Sequence, residues 1–560
     1  MNAAIHYSVE AFDTSKPKLM GRHAAGEGFL RGYARHAGDD PLVCYAQTKK
    51  EFADFQARVA EFAGKPKDCR WIAHNQSDAL SQVGCLYFPA PNMTALCWQR
   101  RYVSPKAYSL CGVTHTTASD GVMDGLGDLL LAPYQPWDAV ICTSRVVKAT
   151  VEHVQARYGA YLEAKFGGKA RSPVQLPVIP FGVECDEFAP SRKTDRVRSE
   201  LRQRFGIATD DIVVLFMGRL SYHAKAHPMP MYLGLEEAAK RTGKRIHLIQ
   251  AGWFANDPIK SNFVDGAKAF CPSVNALFLD GREPEIRHYV WFTADIFASL
   301  SDNIQETFGL TPIEAMAAGL PVVVSDWDGY RDTVQNGVEG IRVPTFMPPA
   351  GAGEGFAFRQ VMGFDNYDHY IGNTSQCIGV DVRGCIEAFS ALVDDTALRI
   401  RMGQAGRTRA QTHYDWRVIV GAYRALWDEL GERRQKELEI APKPAAEPVH
   451  PLRQDPFAVF DIYPSLTLGN EAVAVAMPGV TEADIDRVRA VGMNDYAAAY
   501  LAPMPEIHAM LARIIADGPI TVADLFGKSA GRNRVLLTRS LAWLGKMGLV
   551  TFKGLKPIDW

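Results

Sequence analysis

IFASLSDNIQETFGLTPIEAMAAGLPVVVSD, Ile296 to Asp326, reads as a strand, a helix and a second strand. Ile296–Ala298 and Val322–Ser325 are short apolar runs rich in β-branched residues, the pattern of strands buried on both faces. A helix is expected between them, beginning near Thr311 or Pro312, because proline is well placed at a first helical position. The same alternation extends backwards through Ala276–Leu279, Ile246–Ala251 and Ile212–Met217. An earlier series runs through Ile5–Val9, Leu42–Tyr45, Trp71–Ala73, Cys85–Phe88, Leu110–Thr114, Ala139–Thr143 and Val174–Ile179, with helical stretches such as Glu51–Phe62 and Val146–Tyr158 between them. Strands that alternate with helices predict an α/β fold with parallel sheets covered on both faces. The charged stretch Ser191–Arg204 divides the two series. Two Rossmann-like, doubly wound domains are therefore expected, at 1–190 and 205–396, with closing helices at 397–440. Ligands of such sheets bind beyond the carboxyl ends of the strands, so the cleft between the domains is the expected site.

Residues Thr345–Gln376 break this rhythm, being rich in Gly, Pro, Phe and Tyr and too long for an ordinary connection. They read as an inserted lid or acceptor loop. A Pro-rich, semi-rigid linker at 441–456 follows the closing helices. The remainder, 457–560, reads as a small, mostly helical module that resembles a winged helix with a β-like tail. Its charge is segregated: from Lys528 to Lys556 there are seven Lys/Arg and no acid, whereas Phe457–Gly527 carries nine acids and three bases. A basic helix carrying Arg532, Arg534, Arg539 and Lys546 could touch nucleic-acid phosphates, but protein contact or self-association is the favoured reading.

Composition narrows the function classes. The 560 residues are 47% hydrophobic and 22% charged, with 61 Lys+Arg against 63 Asp+Glu and a net charge of -2. A near-neutral chain has no global basic footprint for nucleic acid. No apolar run is long enough to cross a bilayer, and the first residues lack the basic and apolar regions of a signal peptide. A cytoplasmic location is expected, with peripheral placement at the inner face of a membrane left open. Ten cysteines without a CxxC pair read as free thiols.

Chemistry concentrates between Ser299 and Gly340. Glu306 and Glu314 flank Phe308-Gly309-Leu310 at the start of the expected helix. A helix N-terminus offers unpaired N–H groups and a positive dipole end, which suit phosphate. Gly309 would let backbone approach a diphosphate, and a carboxylate on either side could accept bonds from sugar hydroxyls. A capping box, in which Glu314 only reaches back to Thr311, is the competing reading.

The text E-T-F-G-L-T-P-I-E-A-M-A-A-G-L-P-V-V-V-S-D resembles the retaining family 4 group of nucleotide-sugar glycosyltransferases with the two-domain GT-B fold, marked by E-x7-E and EAMAxGxPVV. The resemblance covers about Asn2 to Arg434. FMGRL followed by Lys225, VIPFGVECDEF (Val178–Phe188), WDAVICTS (Trp137–Ser144) and GRHAAGEGFLRGY (Gly21–Tyr33) are similar to further family segments in the expected order. The last is similar to the Gly-rich loop after the first strand.

This resemblance implies roles. Arg219 and Lys225 would clamp the donor diphosphate, where cations stabilise charge on the leaving group. Glu314 would hold the ribose, and Glu306 the transferred sugar near the reacting face. The backbone of Phe308, Gly309 and Leu310 would meet the diphosphate. Gly26 and Gly28 would belong to the loop approaching donor phosphates and acceptor, Gly281 and Arg282 would lie near the nucleobase, and His115 beside the catalytic centre. The reaction implied is transfer of a sugar from a UDP- or GDP-sugar, with retention and with no essential divalent metal, to a glycan, lipid or protein acceptor. Two departures from the family pattern stand out: Phe181 replaces a usual Asn, and Trp327, Asp328 and Tyr330 intrude where a Gly pair is common. The alternative is a catalytically silent, glycosyltransferase-like sensor or scaffold acting through its terminal module.

Overall fold

The computed structural model describes residues 2–13 and 21–558. The chain forms two compact units, Met1–Pro442 and Lys443–Trp560.

The first unit contains two parallel six-stranded sheets. In the N-lobe, β1 (Ala4–His6), β2 (Leu42–Ala46), β3 (Cys69–Ala73), β4 (Cys85–Tyr87), β5 (Ser109–Val113) and β6 (Ala139–Ile141) lie in the order β3-β2-β1-β4-β5-β6. In the C-lobe, β7 (Ile212–Met217), β8 (Ile246–Gly252), β9 (Asn275–Asp280), β10 (Ile296–Ser299), β11 (Val322–Ser325) and β12 (Gly340–Val343) lie in the order β12-β11-β10-β7-β8-β9. Each sheet reverses direction of growth beside its first strand, the doubly wound plan that places a crevice at the carboxyl edge. The central strands are buried throughout, as in β2, β5, β8 and β10. Burial on both faces explains why they are unbroken apolar runs rather than alternating ones.

Three sequence expectations need correction. Val174–Ile179 forms only isolated bridges, Gln175 with Ala139 and Val178 with Cys142. Pro173, Pro177 and Pro180 deny this stretch a continuous ladder, because proline lacks the N–H donor. β12 was not anticipated; it pairs with β11 through Gly340, whose Cβ would fall 2.0 Å from the Val322 carbonyl oxygen. The Thr345–Gln376 insertion is not a loop. Short β13 (Thr345–Phe346) pairs antiparallel with β14 (Gly379–Val380), and two helices, Glu354–Val361 and Tyr367–Ser375, stand between them.

The Trp416–Lys436 helix returns to the N-lobe and ties the lobes into one body. Trp416 fills the space that Cβ atoms would take at Gly32 and Gly182, and Trp427 and Tyr423 pack with Tyr33, Phe29 and Tyr87.

The second unit has its own core, including Ile507, Leu511, Ile514, Leu541 and Leu544. Helices Met504–Asp517, Val522–Phe526 and Gly531–Lys546 pack on a sheet of β16 (Val473–Ala476), β17 (Ile520–Thr521) and β18 (Val550–Lys553), in the order β17-β16-β18. β15 (Leu466–Thr467) pairs with β19 (Lys556–Pro557). The central strand of this sheet, β16, precedes the three helices in the chain. Its central place comes from pairing: β16 bonds both β17 and β18, a long-range choice that no local pattern announces. All ten cysteines are free.

Candidate active site

β10 ends at Ser299, and the chain crosses the carboxyl edge of the sheet before entering the Leu310–Ala317 helix. Gly309 is the residue before the helix, with φ of 82°. A Cβ there would lie 2.0 Å from Cε1 of Tyr330, so both the backbone conformation and the ring exclude a larger residue. The cap is Gly309 and not Thr311, which removes the capping-box reading of Glu314. Pro312 sits within the first turn, where its missing N–H costs nothing. The helix thus presents its open N-terminus beside Glu306.

Glu306 is nine-tenths buried at its side chain and forms an ion pair with Lys225. Burial alone would raise its carboxyl, but the Lys225 ammonium and the backbone N–H groups of Phe308 and Thr307 together hold it below its ordinary value. Arg219 follows β7, and its Nη2 donates to the Ala224 carbonyl at 2.8 Å. Burial lowers the Arg219 guanidinium, while Asp368, Tyr367 and Glu306 oppose that shift. Two cations and a helix N-terminus thus meet at the carboxyl edges of β7 and β10, an arrangement whose positive charge and free N–H groups suit an anion.

Four side chains of the loop leading to Glu306 hold the backbone around Lys225. Ser301 Oγ donates to the Lys225 carbonyl at 3.0 Å, Asn303 Nδ2 to the His223 carbonyl at 2.8 Å, and Gln305 Nε2 to the Ala224 carbonyl at 3.2 Å. Asp302 Oδ1 accepts from the His227 N–H at 3.2 Å, and burial pushes this carboxyl up to about 7. Sequence reasoning missed this set; the only signal was a run of small polar residues, SDNIQ, before Glu306.

Across the cleft, His115 stands just beyond β5. Its Nε2 meets the Pro89 carbonyl at 3.0 Å, its ring stacks on Phe181 at 5.4 Å, and its own carbonyl accepts Thr307 Oγ1 at 3.0 Å. Phe181 also meets Phe308 edge-on at 5.6 Å. The departure from Asn at this position thus builds an aromatic ladder from His115 to the turn before the helix.

The second departure has an equally local cause. Trp327 Nε1 donates to the Asn303 carbonyl at 3.1 Å, and the Tyr330 hydroxyl lies 2.8 Å from Ser299 Oγ. Asp328 adopts φ of 39° and accepts Ser144 Oγ from the N-lobe at 3.4 Å. Burial first, then the nearby Glu306, push its carboxyl up to about 8. Beside it Asp332 accepts the Arg145 backbone N–H at 2.6 Å and Nε at 2.8 Å. The segment grips the Thr307–Gly309 turn from one side and the start of the Arg145–Phe166 helix from the other.

Glu314 lies one turn into its helix, facing Arg287 and Glu187; burial pushes its carboxyl up to about 7. Gly281 closes on Gly252, its N–H donating to the Gly252 carbonyl at 2.9 Å. Arg282 is exposed and holds Asp280, with Nη2 to Oδ2 at 2.7 Å.

Gly26 and Gly28 are not loop residues. Both lie inside the Gly21–His36 helix. A Cβ on Gly26 would fall 2.2 Å from the Ala11 carbonyl oxygen, whereas one on Gly28 would make ordinary contact with Trp416 at 3.4 Å. Gly26 thus serves close packing, and the connection at 14–20 lies outside the described residues. The resemblance to a Gly-rich family loop is therefore corrected at these two positions, which the structure places in a helix. Among the described residues no group of three His, Cys, Asp or Glu side chains is disposed to hold a metal ion, and no helix is long and apolar enough to cross a membrane.

Comparison with known proteins adds the following. The family model described as "Glycosyl transferases group 1" matches residues 197–350. A D-inositol 3-phosphate glycosyltransferase of Xylanimonas cellulosilytica is 28% identical over 217 residues, 38% of this chain and 47% of the relative. One of the same name from Corynebacterium jeikeium is 23% identical over 347 residues, 61% of this chain and 70% of the relative. The chain spans less than half the length of the first of these relatives. Among solved structures, Anabaena HepE in complex with UDP and glucose aligns with a TM-score of 0.48 at 14% identity, covering 77% of this chain and all of that one.

Proposed function

We propose that this protein is a glycosyltransferase that moves a hexosyl group from a UDP- or GDP-sugar to an acceptor with retention of configuration. The observation that carries the reading is the meeting of Arg219, Lys225 and the N-terminus of the Leu310–Ala317 helix beside Glu306 at the carboxyl edge of the C-lobe sheet. As the glycosidic bond breaks, charge builds on the diphosphate, and the two cations and the helix N–H groups stabilise it without a bound divalent metal. The match to the group 1 glycosyltransferase model over 197–350 spans all these donor-side residues and supports the assignment. Glu314 is assigned to the ribose hydroxyls, and Gly281-Arg282 to the neighbourhood of the base.

Attack on the front face, with the leaving phosphate taking the acceptor proton, is the favoured route. Glu306 is already engaged by Lys225 and two backbone N–H groups, which makes its carboxylate a poor nucleophile and a better anchor for the sugar. His115 flanks the reacting centre from the N-lobe. The acceptor is a glycan, lipid or protein group, and the Lys443–Trp560 unit, proposed to be winged-helix-like, serves protein contact or self-association. The test is a thermal-shift screen of UDP- and GDP-sugars followed by transfer assays. A stabilising nucleotide sugar, with transfer lost in Glu306→Ala, is expected. A covalent glycosyl adduct on Glu306 would replace front-face attack by double displacement, and indifference to every nucleotide sugar would remove the reading.

A further inference from the structure

The Thr345–Gln376 insertion packs on the donor side of the cleft. Its second helix, Tyr367–Ser375, buries Ile371 completely in a cluster with Ala224, Ile304 and the N-lobe's Ala118. Gly372 lies against His223, where an added Cβ would sit 3.3 Å from the His223 Cβ. Both Ala224 and His223 belong to the short loop that ends in Lys225. The hydroxyl of Tyr367 donates to Gln305 Oε1 at 3.2 Å, and Gln305 Nε2 donates to the Ala224 carbonyl at 3.2 Å. Arg219 Nη2 donates to that same carbonyl at 2.8 Å.

We infer that the insertion is a buttress for the two cations of the diphosphate site, and that Tyr367 is a positioning residue acting through Gln305 on the Arg219–Lys225 loop. The logic is directional. An amide has one accepting end and one donating end. Tyr367 holds the accepting end of Gln305, so the donating end must face the Ala224 carbonyl. Without the hydroxyl, only the single bond to the Ala224 carbonyl holds the Gln305 amide, and the side chain is freer to swing away from it. The loop then loses the bond that shares its acceptor with Arg219, and Lys225 is freer to leave Glu306. The inference depends on the proposed function only in naming a diphosphate as what the cations await; the relay from insertion to loop stands without it.

Competitive acylation of the full chain with acetic anhydride, quantified lysine by lysine by mass spectrometry, tests the relay with no donor present. The exposed Lys65 is the internal reference. One lost hydrogen bond corresponds to a factor of about five. Lys225 is therefore expected to label about five-fold faster, relative to Lys65, in both Tyr367→Phe and Gln305→Ala. Phe358→Ser changes an exposed side chain on the insertion's other helix and should leave Lys225 at its wild-type rate. Unchanged Lys225 labelling in both Tyr367→Phe and Gln305→Ala, or equal acceleration by Phe358→Ser, would overturn the inference. The same variants in the nucleotide-sugar thermal-shift screen report separately on the donor reading: a wild-type protein without any shift would remove that reading and leave the labelling result intact.

Discussion

Replacing Lys225 by methionine is the perturbation whose consequences the structure fixes most closely. The substitution keeps the aliphatic stem but removes the partner of a carboxylate that is only 10% exposed, while Lys225 itself is 22% exposed. Removing one member of a buried pair costs about 3–5 kcal/mol when the other is left uncompensated. Glu306 keeps the N–H groups of Phe308 and Thr307, which places the expected loss just below that range, roughly 2–3 kcal/mol near neutral pH. The effect must also depend on pH with a definite sign. In the wild-type protein Glu306 lies below its ordinary 4.5, so its stabilisation is present above that pH and fades as the pH falls through the folded value. Without Lys225, burial dominates and the folded carboxyl moves above 4.5. The variant then takes up a proton on folding and recovers stability as the pH drops towards the ordinary value. Urea unfolding followed by tryptophan fluorescence near pH 7.5 and near pH 4.5 measures both limits. The gap between wild type and Lys225→Met should narrow to under about 1 kcal/mol at the lower pH. Adding Glu306→Gln to Lys225→Met should restore more than half of the loss near neutral pH, since the buried carboxylate left without its ammonium is then gone. A loss equal at both pH values, or one that Glu306→Gln deepens, would refute the reasoning.

Other expectations follow from single positions. Gly309→Ala should cost about 2–4 kcal/mol, because left-handed backbone strain adds to displacement of the Tyr330 ring. Gly319→Ala, with nearly the same φ of 83° but open space around it, should cost only about 1 kcal/mol by the same denaturation assay. Gly26→Ala should lower the melting temperature through the Ala11 carbonyl yet leave any nucleotide-sugar-induced shift intact, as measured by differential scanning fluorimetry. Asp328, pushed up to about 8 from 3.8, is faced by Glu306, Asp332, Ser144 and the Gly329 N–H. Folding takes up its proton, so stability should fall as pH rises from about 4 through about 8; Asp328→Asn should flatten that part of a melting-temperature profile.

Part of the segment after β10 was legible because its residues lie close in sequence. Glu306, the Phe308–Leu310 turn and Glu314 fall within nine residues, and the helix that follows them was readable from Pro312 and its apolar face. Arg219 and Lys225 were singled out by the family resemblance of FMGRL and the lysine that follows it. What escaped was whatever required a distant partner. The clamp from Ser301, Asn303 and Gln305 has meaning only once the Lys225 loop is beside it. Phe181 looks like an arbitrary change from Asn until His115 and Phe308 close on it. The Gly21–His36 segment resembled a family loop, and the residues that demand its glycines, Ala11 at Gly26 and Trp416 at Gly32, are elsewhere in the chain.

By itself the sequence determined that the first unit carries two series of buried parallel strands, since a strand covered on both faces has to be apolar at every position and so announces itself locally. It also determined which strand ends carry charge and glycine. Tertiary structure alone decided that the Tyr367–Ser375 helix leans on the loop that ends in Lys225. It likewise decided that Ser144 and Arg145 of one lobe meet Asp328 and Asp332 of the other, and that Trp416 occupies a groove of glycines from two other segments. Those contacts join positions far apart along the chain, and their energies exist only after the backbone has brought the partners within a few ångströms.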